Sequence, residues 1–407
     1  MNLKKTYKQN RKDSGFSLPW VLGIVVITSI ISALTTGVII YNDNKITNEI
    51  TYADLSKDEK LSQFLEVYAN ITSEYYEDVN KEELLEKAIA AMMNYLGDDY
   101  STYLDNTDTS ELVTKLSGEY TGIGVSINNS DKSISKVYEN TPASEAGIKE
   151  GDIIIGYNGK DVTSKSASDI VALIKENKSD FSLKLQRGDE TIDVTLKNAK
   201  IISPSIDYKM IENTTTGYIY IETFSNTLET QVSSALKKLE AEGMTSLIID
   251  LRDNTGGYLD AAASVTSLFT EKGKKIYSLN YKNEVTNYFD KTSEARNYPI
   301  VVLINDNTAS ASEIMAAALK ESYGATLIGT TSFGKGKVQQ TMKLDNGSMI
   351  KYTSAYWLTP NGTCIDQIGI TPDYQISNET VKNENDEIIE IKDKQLEKAI
   401  ESLNSAE

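Results

Sequence analysis

VVLINDNTASASEIMAAALKES, residues 301–322, reads as a buried strand, a short polar turn and a helix. Ile300 to Ile304 form an unbroken apolar run, the pattern of a strand covered on both faces. Asn305, Asp306 and Asn307 are turn formers, and Ala311 to Ser322 has helical texture. Ser310 stands on the junction. A serine there presents its hydroxyl at the edge of a sheet, with a helix N-terminus behind it and the Ala311 N–H aimed at whatever the hydroxyl attacks. The same residues carry a second reading. Ser310 and Glu313 have the spacing of a capping box, and on local pattern alone an N-cap is the commoner use of such a serine.

The surroundings are α/β in pattern. Gly217 to Phe224 alternates like a strand, Thr230 to Glu242 is an amphipathic helix, Ser246 to Arg252 is a buried strand and Ala325 to Gly329 is another. Leu247 to Ala262 runs from that buried strand into the pair Gly256-Gly257. The exposed amides of such a turn suit a second oxyanion donor as well as they suit an ordinary strand-to-helix connection. Thr330 to Gln340 contains Lys335 between two glycines. A lysine is a general base only when neutral, which requires burial or a neighbouring cation. Phe333 and Val338 are candidates for an apolar lining. Lys337 lies two residues on, on the same face of an extended segment, so the sequence leaves both lysines open as bases and also as solvated loop residues.

Composition narrows the chemistry. The 407-residue chain has no histidine and one cysteine, Cys364. Ser-His-Asp and Cys-His catalysis are excluded, and so are imidazole-ligated zinc sites. Cys364 is expected to be a small apolar filler, and no disulfide is possible within the chain. The formal charge of −18 argues against nucleic acid as a partner. Length allows two or three folding units.

The amino-terminal part divides in two. Residues 1–17 are a basic tail, and 18–41 an uncharged apolar run, about 36 Å long as a helix against a hydrocarbon core of about 30 Å. Trp20 and Tyr41 sit at its ends as interfacial aromatics. The tail places the amino terminus in the cytoplasm and the rest outside, so a single-pass anchor in the cell membrane is expected, with a cleaved signal peptide as the competing reading. Residues 42–112 read as a helical arm that packs or dimerises, broken at Gly97 to Ser101 and without chemistry of its own. From 113 to 199 the texture is short strands, turns and one helix, Ser168 to Lys175. GEYTGIGVSI, residues 118–127, and TPASEAGIKEGDIIIGYNGKDV, residues 141–162, resemble a PDZ domain. The resemblance implies that Gly122, Ile123, Gly124 and Val125 receive a peptide's terminal carboxylate on backbone N–H groups while the peptide adds a strand to the sheet edge.

Together the segments resemble the carboxy-terminal processing peptidases, or tail-specific proteases, from about Leu61 to Ile376. TASASEI matches their nucleophile segment, SFGKGKVQ their lysine segment, DLRDNTGG their glycine turn with Thr255 in place of a proline, and YWLTPNGTCIDQIGITPD, residues 356–373, their closing motif. The resemblance implies a mixed α/β and β fold: a PDZ domain, then a protease core of the ClpP/crotonase-like type over 200–376, then residues 377–407 packing on or completing it. It assigns Ser310 as nucleophile, Lys335 rather than Lys337 as general base and Gln339 as the residue orienting it. Oxyanion donors are then Ala311 and one of Gly256 and Gly257. No metal or organic cofactor is implied. Expected partners are exported or envelope proteins with a free C-terminus, the membrane, and a second copy of the chain. A catalytically silent PDZ scaffold is the alternative.

Overall fold

The computed structural model describes residues 57–404 apart from 294 and 383–387. The expected anchor, 18–41, lies outside the described residues; among the described residues no helix is long and apolar enough to cross a membrane. The chain divides into two units, one ending at Ala88 and one starting at Ile89.

The first unit holds α1 (Glu59–Glu74), capped by the Asp58 carboxylate on the Lys60 and Leu61 amides, and the start of α2 (Lys81–Tyr95). No side chain of α1 is buried, and Phe64, Leu65, Val67 and Ile71 are exposed. The second unit begins differently from the sequence expectation. After the break at Gly97 the chain forms β1 (Thr102–Leu104), which pairs antiparallel with a strand some 250 residues later, Thr102 opposite Lys351. The break therefore belongs to the second unit. It is not the idle end of a helical arm, because backbone pairing with a distant strand, invisible to local pattern, fixes it. Then α3 follows (Asn106–Ser117), capped by Asp105 and closed by Gly118 in the left-handed region.

The PDZ fold occupies the next stretch: β2 (Glu119–Gly122), β3 (Val125–Ile127), β4 (Ile134–Val137), α4 (Pro142–Glu145), β5 (Ile153–Tyr157), β6 (Lys160–Asp161), α5 (Ala167–Glu176), β7 (Phe181–Arg187), β8 (Glu190–Leu196) and β9 (Ala199–Ile202). Alternation drives it. Phe181, Leu183 and Leu185 point into a core shared with Ile154, Ile170 and Ile174, while their neighbours face outward. Thr141 and Ser166 cap α4 and α5 with reciprocal side-chain bonds. Asp152, buried on β5's approach, is held by Arg187 through two bonds of 2.7 Å.

The core begins with β10 (Ile206–Met210) and β11 (Thr216–Ile221), then α6 (Leu228–Ala241), β12 (Ser246–Asp250), α7 (Leu259–Thr266), β13 (Lys275–Tyr281), β14 (Glu284–Phe289) and β15 (Ile300–Ile304). Next come α8 (Ala311–Ala318), a π-helical turn over Leu319–Tyr323, β16 (Thr326–Gly329), β17 (Lys337–Lys343), β18 (Met349–Leu358), β19 (Tyr374–Gln375), β20 (Glu379–Lys382), β21 (Ile388–Lys392) and α9 (Lys394–Asn404). One sheet has order β10-β11-β12-β15-β16-β19, parallel from β11 to β19. Both faces of β12 and β15 are buried, around the apolar residues Leu247 to Ile249 and Ile300 to Ile304. On one side lie α6, α7 and α8; on the other, α9 packs Ala399 and Leu403 against Ile248, Val301, Leu303 and Ile328. The second sheet, β1-β18-β13-β14 with β17 on β18, carries the lysine segment. The helix that sequence texture extends to Ser322 stays α-helical only to Ala318. Cys364 is exposed, so the expectation that it fills the core is wrong.

Candidate active site

Ser310 occupies the N-cap position of α8 at the end of the turn that follows β15, but its backbone is unlike a cap. Thr141 and Ser166 cap their helices from extended backbone, whereas Ser310 has φ 58° and ψ −118°. That region costs an L-residue about 1–3 kcal/mol, which persists only where the surroundings impose it. The surroundings are visible. Behind Ser310 the whole of α8 is buried. In front, Gly256 comes so near that a methyl group there would stand 2.9 Å from the Ala309 carbonyl oxygen and 3.0 Å from Ser310 Cβ. Only glycine fits at this contact, and at φ 105° only glycine adopts the backbone easily.

The Gly256-Gly257 turn also separates the two candidate oxyanion donors. The Gly256 N–H is already given to Asn254 Oδ1 at 2.8 Å. The N–H of Gly257 and that of Ala311 have no acceptor among the described residues. Asn254 is itself fully buried and donates to the Ile221 carbonyl at 2.7 Å, so the turn is fixed before any substrate arrives. Thr255 is exposed and stands outside this network.

Lys335 lines the same cavity as Ser310, about 530 Å³ in volume, together with Gly257, Lys351, Leu279 and Trp357. Its peptide oxygen accepts the Trp357 indole N–H at 2.8 Å. Its Nζ has no hydrogen-bond acceptor among the described residues and lies 4.6 Å from the centre of the Tyr100 ring. Burial lowers the lysine's pKa, and the nearby Lys351 cation lowers it further; Glu313 and Asp98 oppose both. Lys337 is in the opposite condition. It makes a 2.9 Å ion pair with Asp98, which raises its pKa and holds it charged. Local pattern left two lysines open and the resemblance chose Lys335; the surroundings lower the pKa of Lys335 and raise that of Lys337. Of the apolar lining expected around it, Val338 is at the cavity and Phe333 is not, being exposed to solvent.

Glu313 ties serine and lysine together. It is completely buried, and each carboxylate oxygen accepts two donors. Oε2 takes the N–H groups of Ser310 at 2.8 Å and Lys335 at 2.9 Å; Oε1 takes the Ser332 hydroxyl at 2.6 Å and the Gly334 N–H at 2.7 Å. Burial raises the Glu313 pKa while these four donors act against it. The sequence reading met Glu313 only as half of a capping box. The missed signal was a lone charge in the otherwise uncharged run Ala311 to Leu319.

Gln339 also lines the cavity, but its amide donates to the Lys337 carbonyl at 3.2 Å and to Thr353 Oγ1 at 3.3 Å, not to Lys335. The β17–β18 pairing shifts register between Val338 and Gln339. Asp98 completes this side. Burial would raise its carboxyl, yet hydrogen bonds from Ser101, Thr353 and Lys337 bring its pKa down to about 2. Neither Asp98 nor Tyr100 carries a local sequence signal.

In the PDZ fold, Ile123 and Gly124 have bonded carbonyls, accepting from Ala143 and Tyr138, while their amides have no acceptor among the described residues. Gly122, Ile123 and Gly124 are buried, and Gly124 has φ 85°. Val125 opens a groove of about 360 Å³ between β3 and α5, lined also by Ile127, Ala167, Val171 and Lys175.

Three segments of the chain match known families. Residues 215–376 match peptidase family S41, residues 133–187 match a PDZ domain, and residues 33–108 match an activating protease CtpB N-terminal domain. The carboxy-terminal processing protease CtpA of Bacillus subtilis is 37% identical over 354 residues, 86% of this chain and 75% of that protein. A probable CtpA-like serine protease of Staphylococcus aureus is 34% identical over 365 residues, 88% of this chain and 71% of that one. A solved photosystem II D1 C-terminal processing protease aligns with TM-score 0.46 and 25% identity over 80% of this chain and 88% of its own. The chain therefore belongs to the S41 family of serine peptidases, among its carboxy-terminal processing proteases.

Proposed function

We propose that this peptidase is an endopeptidase working through a Ser310–Lys335 dyad on exported or envelope proteins. The observation that carries the reading is the half-buried, unpaired Lys335 amine, beside a second cation and on the cavity that holds Ser310. Neutral Lys335 Nζ takes the proton from Ser310 Oγ, and Oγ attacks the peptide carbonyl carbon. The oxyanion is received by the N–H groups of Ala311 and Gly257. The Lys335 ammonium then gives its proton to the leaving nitrogen, the peptide bond breaks, and an ester remains on Ser310. Water, losing its proton to Lys335, hydrolyses that ester and returns Oγ–H. Leu279, Trp357 and Val338 make the cavity's apolar wall, which suits an apolar side chain next to the cleaved bond. Ser310→Ala and Lys335→Ala in the full chain should each abolish fragmentation of an unfolded substrate protein, read by mass spectrometry. Full activity in either variant refutes the dyad.

The open amides of Ile123 and Gly124 above an apolar groove support capture of a substrate's free C-terminus by the PDZ fold. Calorimetry on the Ser310→Ala chain should show tighter binding of acid than of amidated peptides; equal affinity removes this mode. The basic tail and apolar run support a membrane anchor with the catalytic part extracytoplasmic. Protease added to intact cells should then digest everything after Tyr41, and protection of that region overturns the topology. The exposed apolar side chains of α1 support a homodimer, which a monomer mass by light scattering at high concentration would exclude.

A further inference from the structure

The turn between α2 and β1 is absorbed neither by the dyad nor by the PDZ fold, yet it reaches the base. Tyr100 presents its ring to two ammonium groups, with Lys335 Nζ at 4.6 Å and Lys337 Nζ at 5.6 Å from the ring centre. Asp98 withdraws one of them, pairing with Lys337 at 2.9 Å. The turn is fastened at three further points. Asp98 Oδ2 accepts the hydroxyls of Ser101 at 2.5 Å and Thr353 at 2.6 Å, and the Thr353 N–H donates to Ser101 Oγ at 3.0 Å. Pairing of β1 with β18 then sets Thr102 against Lys351. A ring carried on a turn fastened in this way, against an otherwise unpartnered amine, has a consequence for the amine's chemistry.

We propose that Tyr100 is a positioning residue for the general base: its ring face seats the Lys335 amine at the catalytic cavity, while Asp98 diverts Lys337 from the same seat. The proposal rests on reading Lys335 as the base. That base must begin neutral and become cationic once it holds the serine proton. An aromatic face attracts the ammonium form without a formal negative charge, so it favours the proton-bearing state less strongly than a carboxylate would. The other groups facing the amine are Lys351 on β18, Glu313 on α8 and Asp98 on the turn itself, with Lys337 two residues on and Asp366 holding the Gly336 N–H at 3.1 Å. None of them is altered by changing Tyr100.

The test is the pH profile of kcat/KM for the full chain on one fluorogenic peptide. Tyr100→Leu keeps an apolar cover over the amine and removes the ring's attraction for the cation. The rising limb should move to lower pH, so that on the limb the rate, as a fraction of its plateau, rises about two- to tenfold. The plateau itself should fall as the amine loses its seat. Tyr100→Phe keeps the ring face and should keep the limb where the wild type has it. An unmoved limb in Tyr100→Leu, or equal displacement in Tyr100→Phe, overturns the proposal. If Tyr100→Leu does not fold, Tyr100→Met carries the same expectation, and the unmoved limb of Tyr100→Phe must still hold. Lys335→Ala run alongside separates the two levels, because retained activity there refutes the base assignment itself.

Discussion

Replacing Glu313 with glutamine removes one charge and one acceptor from the point where the backbones of Ser310 and Lys335 meet. The two oxygens are not equivalent. If the new NH2 took the place of Oε2, it would face the N–H groups of both Ser310 and Lys335. In place of Oε1 it faces the Ser332 hydroxyl, which can rotate to accept, and the Gly334 N–H, which cannot. The second arrangement is cheaper and leaves one buried N–H without an acceptor, at a cost of about 1–3 kcal/mol. Against this stands relief from burying a carboxylate, the same effect that raises the Glu313 pKa. Overall stability should therefore change by no more than about 2 kcal/mol. The active site should suffer more, because Gly334 must move away from the amide and takes Lys335 with it. A misplacement of about 1 Å costs on the order of 100-fold in rate, or about 2.7 kcal/mol at the transition state. Urea unfolding followed by tryptophan fluorescence reads the first quantity, with Trp357 bonded to Lys335 as a local reporter. The kcat/KM on a peptide reads the second. Wild-type kcat/KM in Glu313→Gln would refute the argument that this carboxylate positions the dyad.

Two further outcomes follow from the charges around the lysine. Lys351→Met removes the cation that helps depress Lys335, so the lysine's pKa rises and the alkaline-rising limb of kcat/KM shifts to higher pH; a limb moving down would show that Lys351 does not act on the base. Asp98, with its pKa near 2 in the folded chain against an ordinary 3.8, contributes stability that is complete above pH 4 and lost as pH falls towards 2. Thermal unfolding of Asp98→Asn against the wild type should show a difference at pH 6 that shrinks by pH 2.5; a constant difference would contradict the ionised pairing.

What could be read in advance divides by the distance over which the signals act. β15, fully apolar from Ile300 to Ile304, and α5, with apolar residues at helical spacing, announce themselves within a few positions, and the structure has them at the expected places. Likewise, serine on a strand-to-helix turn and lysine between glycines are local patterns. Their partners are not. Glu313 looks like a cap because the carboxylate's other donors, Ser332, Gly334 and Lys335, come from 19 to 22 residues away. Asp98 reaches Lys337 across 239 residues and Thr353 across 255. The sheet of β13, β14, β17 and β18 also escaped. β14 is exposed along its length, so it lacks the alternation that marks a half-buried strand. The different surroundings of Lys335 and Lys337 come from those long contacts, and local pattern did not distinguish Gly256 from Gly257. The bond that distinguishes the two glycines, Gly256 to Asn254, is short in sequence but depends on where a buried asparagine side chain turns.

Arg252 links the strand before the glycine turn to the segment before α9, pairing with Asp250 at 2.6 Å and with Asp393 at 2.7 Å. Those partners lie 2 and 141 residues away. A chain emerges from the ribosome amino end first, at roughly 5–20 residues per second, so Arg252 waits on the order of 10–30 s for its second carboxylate. During that interval the sheet face formed by Ile248, Val301, Leu303 and Ile328 also lacks its cover from Ala399 and Leu403. Ser310 and Lys335 have been synthesised by then, but the face of the sheet opposite α6, α7 and α8 is still uncovered. Closing of that sheet face is therefore among the last steps available to the growing chain.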